Sequence, residues 1–323
     1  MSTIRILSEI TVKHLLAERL DEAFHACADA YRYYGRVGSV LSEPSSMFLT
    51  LPTKPEKKCR LKGAHLGDAG AAGFRLASPG SYYNWVLDVQ TGEPKGLVAE
   101  NWLHRRRTAV TGALILSWLR PKLDRIALIG AGHIGNEFAI TLGHAFPKAK
   151  LVLGSRDPSR GQRFVSQLTA ELGQRFLVES IEKAVRSCEA VITITKADRA
   201  FVEGDWLNDQ AVALSMGGVP EFTFSTWSRC NHFILDDLDY ALKQGDLHHW
   251  VKSDGLTAVE IEQKLTGTVG QLALDPKSFN EQCKGITLAV IQGMAICDVA
   301  LAALALKFAQ AQNAGHCVDL SSC

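Results

Sequence analysis

The chain has 323 residues, 46% of them hydrophobic and 21% charged, the make-up of a globular protein with room for about two domains. Thirty-five basic residues against 34 acidic ones leave a formal charge of +1, so no electrostatic footprint for nucleic acid is present. The longest apolar run, "MAICDVALAALAL", is 13 residues and includes Asp298, short of the roughly 18 apolar residues that a membrane helix needs. The N-terminal stretch is broken by charges and has no signal-peptide pattern. The eight cysteines contain no Cys-x-x-Cys pair. These features predict a cytoplasmic protein with reduced thiols, no metal site and no membrane partner.

Leu15, Leu16, Leu20, Ala23, Phe24 and Cys27 recur at helical spacing, which predicts a helix over 12–35. Turn and strand signals follow over 36–58. "GAHLGDAGAAGFRLASPGSYYNWVLDVQTGEP" reads as strands divided by glycine turns, with a hairpin turn at Thr91–Gly92. An apolar helix is expected over 108–118, immediately after three consecutive arginines, Arg105, Arg106 and Arg107. From residue 125 the pattern changes to short apolar strands alternating with helices: "RIALIG", a helix over 134–146, "KLVLGS", a helix over 158–172, "FLVES", "IEKAVRSC", "AVITITK", "AVALSMG" and "HFILDD". Such alternation predicts a parallel sheet with right-handed crossovers. After residue 285, "ITLAVIQGMAICDVALAALALKFAQAQ" reads as one long helix returning to the first domain.

"IALIGAGHIGNEFA" sets Gly130, Gly132 and Gly135 between a predicted strand and a predicted helix, the context that turns a glycine motif into a dinucleotide loop. Gly130 permits the tight turn, Gly132 lets backbone approach a pyrophosphate, and Gly135 lets helix and strand pack closely. The amides of His133, Ile134 and Gly135 open the helix, where an anion is favoured. At the end of the next strand, where an acidic residue would hold the ribose of NAD, "LGSRDPSR" has Ser155 and Arg156. A hydroxyl and a guanidinium suit a 2′-phosphate, so NADP(H) is favoured, with NAD(H) possible because Asp157 is adjacent. Thr193 and Thr195 follow a predicted strand and are placed beside the nicotinamide.

"LHRRRTAVTG" before this loop, "GAAGFRLASPG" followed by "VLDVQTGEPKGLVAE", and "ITLAVIQGMAICDVALA" near the end together resemble the ornithine cyclodeaminase/μ-crystallin family over nearly the whole chain. The resemblance implies an α/β protein. Residues 1–118 and 292–323 would form an α+β substrate and dimerisation domain, and residues 119–291 a Rossmann NAD(P)-binding domain. It implies a homodimer acting on a small amino or imino acid, with hydride exchanged between a nicotinamide and the α-carbon. It also implies that an arginine of "RTAVTG" binds the substrate carboxylate. Aligning by the small residues Ala109 and Thr111 makes this Arg106, and a shift by one makes it Arg107.

The departures from the family are as informative as the matches. Arg75 stands in "AGFRL" where a lysine is usual, and arginine is a poor proton shuttle. "SEPSSMF" has Ser45 and Ser46 where a basic residue often lies. "LSMGGVPEF" lacks the cyclodeaminase aspartate, with Glu221 a few residues on as a possible substitute. Lys62 and His65 of "RLKGAHLGD" are then the candidate proton donors, Arg60 and Arg75 candidate anion binders, and Asp298 an acid that packs in its helix or reaches the site. The expected function is NAD(P)H-dependent reduction of an α-imino acid, a dicarboxylic one in view of the arginines. The alternatives are a cyclodeaminase that retains NAD and a crystallin-like NADPH-dependent ligand carrier.

Overall fold

The computed structural model describes residues 3–38, 40–52 and 54–320. The chain divides into two compact units, Met1–Thr111 with Met294–Cys323 and Gly112–Gly293. Among the described residues no helix is long and apolar enough to cross a membrane.

The first unit is built on a seven-stranded sheet. Its strands are β1 (Thr3–Leu7), β2 (Met47–Leu51), β3 (Lys54–Leu66), β4 (Ala71–Ala77), β5 (Tyr82–Asp88), β6 (Pro94–Ala99) and a C-terminal strand (His316–Asp319). Their order is C-terminal strand, β1, β6, β5, β4, β3, β2. All neighbours are antiparallel except β1 and β6. The hairpin between β5 and β6 turns at Gly92, whose φ of 74° needs glycine, while Asp88 accepts the amides of Gln90 and Thr91.

Two-residue alternation gives this sheet unlike faces. In β4, Gly73 lies against Val299 of the C-terminal helix (Ala295–Ala311), so Arg75 shares that face. Phe74 and Leu76 point the other way and are each 42% exposed. The C-terminal helix is apolar almost all round, as expected for a helix buried on most sides.

Four expected boundaries move, one being the helix predicted over 158–172, which is two helices, Pro158–Ser166 and Ala170–Gly173. The helix predicted over 12–35 is two helices, α1 (Glu9–Leu16), capped by Ser8, and α2 (Leu20–Val37). Leucines keep helical spacing through the break, so periodicity alone does not reveal it. Helix α3 (Asn101–Leu119) begins before the arginine triplet, which therefore lies inside the helix rather than in front of it. The last long helix is a strand followed by a helix. "TLAV" forms a buried strand, and Gly293, with φ 86°, precedes the C-terminal helix.

The second unit carries eight parallel strands: β7 (Arg125–Ile129), β8 (Lys150–Gly154), β9 (Phe176–Glu179), β10 (Ala190–Thr193), β11 (Val212–Ser215), β12 (His232–Leu235), β13 (Leu265–Thr268) and β14 (Thr287–Val290). The order β13-β12-β14-β11-β10-β7-β8-β9 reverses direction between β7 and β10. In open parallel sheets that reversal is where ligands bind, at the carboxyl ends of the strands. β7, β8, β10 and β11 are buried over nearly their whole length, which is why they read as short unbroken apolar runs.

Candidate active site

The glycine loop joins β7 to helix α4 (His133–Ala145). Gly130 has φ 144°, and a Cβ there would lie 2.4 Å from the carbonyl oxygen of Ile194. A Cβ on Gly135 would lie 1.8 Å from the carbonyl oxygen of Gly130, so the helix touches the turn there. Gly132 is the N-cap of α4. It makes no side-chain cap, and a Cβ on it would meet no atom within 4 Å. The open side of Gly132 and the uncapped first-turn amides at His133, Ile134 and Gly135 form a cradle that fits a dinucleotide pyrophosphate.

At the end of β8, the Ser155 hydroxyl donates to the carbonyl of Asp157. The Asp157 carboxylate accepts the Ser159 hydroxyl and the amides of Arg160 and Ser159 as the N-cap of helix α5 (Pro158–Ser166), and these bonds hold it below the usual carboxylate range. The one acid here is thus committed to its helix, while Arg156 and Arg160 are exposed.

Past β10, Glu221 accepts the amide of Thr195 on one oxygen and that of Gly217 on the other, with the Thr193 hydroxyl beside it. Burial pushes its carboxyl up. Glu221 ties the loops after β10 and β11 together, a different task from that of the missing aspartate. Asp246 accepts the amides of Glu221 and Phe222 and the hydroxyl of Ser215, with burial pushing it up to about 7.

The first unit holds a buried charged cluster. Glu100, His104 and Arg107 recur at i, i+4 and i+7, one face of a helix that begins at Asn101. Arg107 Nε donates to Asp298 Oδ1 at 2.7 Å, and its Nη2 donates to His104 Nδ1 at 3.0 Å. Arg75 Nε donates to both oxygens of Glu100, at 3.0 and 2.7 Å, and lies 3.6 Å from Asp298 Oδ1. Its guanidinium stacks 5.0 Å over the Tyr82 ring. Lys62 sits directly across from Arg75 in the β3–β4 pairing and is buried.

Electrostatics in this cluster follows from burial first and from charges second. Burial pushes the Lys62 ammonium well below its ordinary range; Asp298 opposes this, while Arg60, Arg75 and Arg107 add to it. Burial, then Arg75 and Arg107, keep His104 well below the usual imidazole range, so it accepts from Arg107 as a neutral ring. Burial lifts Glu100 to about 8. For Asp298 burial pulls upward, but Arg107 and Arg75 outweigh it and hold its carboxyl below the usual range. The ligand atoms of Glu100, His104 and Asp298 lie within 4.8 Å of one another. Even so, the guanidinium groups of Arg75 and Arg107 against this trio oppose a dication by charge.

Of the residues singled out from the sequence, Lys62, Arg75, Arg107 and Asp298 meet here, with Arg60 acting electrostatically on Lys62 and His104. Arg106 does not join them: it donates to the carbonyl of Ala17 and stacks 5.0 Å over Trp102. The one-residue turn of about 100° between neighbours on a helix separates Arg106 from Arg107. His65 is also apart, because an odd number of residues from Lys62 sends it to the other face of β3, where its ring nitrogen lies 3.4 Å from the Tyr33 hydroxyl. Glu100 and His104 were not singled out from the sequence, although their spacing from Arg107 was the available signal.

The ornithine cyclodeaminase/mu-crystallin family model matches residues 3–312. An uncharacterized cyclodeaminase of Sinorhizobium fredii is 26% identical over 336 aligned positions, covering 98% of each chain. An archaeal alanine dehydrogenase, a dimer with bound NAD, superposes with a TM-score of 0.84 at 22% identity, covering 98% of this chain and 99% of that one. The iminosuccinate reductase of Paracoccus denitrificans, in complex with NAD+, superposes with a TM-score of 0.85 at 17% identity, covering 98% and 100%.

Proposed function

Because the chain belongs to the ornithine cyclodeaminase/mu-crystallin family, we propose that it is an NAD(P)H-dependent reductase that exchanges hydride with the α-carbon of an imino or amino acid bearing two carboxylates. The observation that carries this reading is the state of two buried arginines. Arg75 spends only Nε on Glu100, and Arg107 spends Nε and Nη2 on Asp298 and His104. Among the described residues the other terminal nitrogens of both have no partner. They are held in position by carboxyl groups yet keep donors for a ligand, and guanidinium matches a carboxylate in two-point geometry. Arg75 and Arg107 share one ionised acid, Asp298, while Glu100 keeps its proton up to about 8. Two guanidinium groups with free donors, set side by side, suit a substrate with two carboxylates.

The residues present fit a dinucleotide at the glycine loop. Bound there, it would supply hydride. Gly130, Gly132, His133, Ile134 and Gly135 would hold the pyrophosphate, Ser155 and Arg156 the adenosine ribose end, and the loop ends at Thr193 and Thr195 the nicotinamide. Arg107 and Arg75 orient the substrate by its carboxylates. Lys62, buried directly across from Arg75, would lie beside the substrate on the same face of the sheet. Glu221 is committed to two backbone amides, which leaves no free carboxylate in "SMGGVPEF" for ring closure and disfavours the cyclodeaminase reading.

The deciding experiment offers NADPH or NADH with oxaloacetate plus ammonia and with pyruvate plus ammonia, and follows nicotinamide absorbance. Oxidation that is faster with the dicarboxylic imine is expected. Ammonia released from a diamino acid with no net cofactor change would instead mark a cyclodeaminase, and cofactor binding without turnover on any imine a carrier. In the same assay the wild type is expected to bind NADPH more tightly than NADH, and Arg156→Asp to reverse the order. A tenfold preference of the wild type for NADH contradicts the reading of the β8 edge.

The homodimer is proposed on the open face of the first unit's sheet. Met47, Leu61, Leu76 and Tyr83 form one cross-strand row, flanked by Leu49 and Phe74. Of these, Met47, Leu49, Phe74, Leu76 and Tyr83 are 38–65% exposed, a contiguous apolar patch of the kind that marks an interface. Leu76→Glu should convert a dimer to a monomer in sedimentation experiments; a monomeric wild type removes the proposal.

A further inference from the structure

Two carboxyl groups of the charged cluster have no part in holding substrate. Glu100 and Asp298 are 0% and 1% exposed. Asp298 Oδ1 takes Arg107 Nε, but Oδ2 is buried and, among the described residues, receives no hydrogen bond. The Glu100 carboxyl is its neighbour in the cluster, with an oxygen of each acid within 4.8 Å and the two side chains in contact. A buried acceptor left without a donor costs about 1–3 kcal/mol. Two adjacent buried carboxylates also repel. One proton removes both penalties, because a Glu100 hydroxyl can donate to Asp298 Oδ2 while its other oxygen still accepts from Arg75.

The surrounding charges decide which acid keeps the proton. Arg107 is bonded to Asp298 and Arg75 lies 3.6 Å from it, so Asp298 is the ionised partner. Glu100 is the buried acid whose carboxyl is lifted. The other titratable or charged groups facing the pair are Lys62 and Arg60 from β3, His104 from α3, and Cys297 beside Asp298; Tyr82 of β5 stacks on Arg75, and Tyr31 of α2 faces Arg107. His104 is neutral and accepts from Arg107, so it does not take the proton.

We propose that Glu100 and Asp298 share one proton in the resting protein and that Glu100 hands it to the substrate nitrogen. The shared proton stands on the cluster alone, whereas the hand-over rests on the reductase reading above. In the step, the imine nitrogen's lone pair takes the proton and becomes an iminium. The carbon accepts the hydride that the cofactor supplies, and the C=N π pair settles on nitrogen to give the amine. Glu100 is left as a carboxylate against Arg75 and regains its proton from water.

Infrared difference spectroscopy of the cofactor-free protein, wild type against Glu100→Gln, reads the proton directly. The wild type is expected to show the carbonyl stretch of a protonated carboxylic acid at neutral pH, shifted in D2O, fading as pH rises through about 8 and missing from the variant. Glu100→Gln should keep its fold, since the new amide donates permanently to Asp298 Oδ2, and circular dichroism checks this. No such band in the wild type, or an undiminished band in the variant, overturns the shared proton whatever the activity. With oxaloacetate, ammonia and NADPH, Glu100→Gln should lower kcat about 10²–10⁴-fold, the range of a lost general acid, at little changed KM. Glu100→Asp should recover part of the loss. Wild-type kcat in Glu100→Gln overturns the hand-over. A wild type that shows the band but reduces no imino acid overturns the reductase reading and the hand-over with it, and leaves the shared proton standing.

Discussion

Exchanging Arg107 for lysine is expected to cut kcat/KM about ten- to a hundredfold, while the same exchange at Arg106 leaves it near the wild-type value. Arg107 makes two directional bonds at once, to Asp298 and to His104, and in the proposed reading its remaining nitrogen holds the substrate carboxylate. Lysine keeps the charge beside Asp298 but cannot hold this planar fork. A charged hydrogen bond contributes about 1.5–3 kcal/mol. At about 1.4 kcal/mol per decade the stated loss follows. Arg106 serves α1 through the carbonyl of Ala17 and stacks on Trp102, away from the acids. Arg107→Met is a different experiment: it strands a buried Asp298 carboxylate and should destabilise the protein by about 3–5 kcal/mol, visible as a lower Tm. Steady-state kinetics of the two lysine variants on one substrate checks the assignment. A normal Arg107→Lys with a crippled Arg106→Lys would move the substrate carboxylate to the other arginine.

The glycine loop supplies the second large effect, and its two halves should fail differently. Gly132→Val places a side chain in the open space before the first-turn amides, where no atom of the protein lies within 4 Å. Folding should be unaffected, yet the pyrophosphate loses its approach to at least two amides. At about 1.5–3 kcal/mol for each charged hydrogen bond, the cofactor Kd rises about a hundredfold or more. Gly135→Val instead drives a side chain into the carbonyl of Gly130, 1.8 Å from the new Cβ. That variant should lower Tm as well as affinity, because strand and helix must separate. Calorimetric Kd values and thermal melts of both variants provide the check. Unchanged NADPH affinity in a folded Gly132→Val protein would remove the pyrophosphate from this loop.

Most of the second unit was legible in the sequence because its strands are short, apolar and bounded by turns. The strand "TLAV" was missed for the same reason that others were found. A strand covered on both faces and a helix buried on all sides both read as unbroken apolar sequence, and "ITLAVIQGMAICDVALA" contains one of each. The break at 17–19 escaped because leucines keep helical spacing across it. At the charged cluster, pattern matching on the small residues after the arginines favoured Arg106. Helical geometry favours Arg107, since only that residue falls on the face of Glu100 and His104. The partner that completes the pair, Asp298, lies 191 residues further along the chain, and no local signal in the sequence links it to Arg107.

That separation has a consequence for how the molecule is made. The sheet of the first unit, with Lys62, Arg75 and Arg107, leaves the ribosome before residues 112–293, and the helix that carries their counter-charge is synthesised only after them. Until then three buried-site cations lack Asp298, and the face of the sheet that receives the C-terminal helix is bare. Residues 112–293 form a contiguous unit that can close on itself in the meantime. Once folded, this insert holds its two ends at a fixed separation, so the late helix searches a short tether instead of a long coil, and the loop-closure entropy is met in two instalments. The first unit is therefore begun before the insert and completed after it.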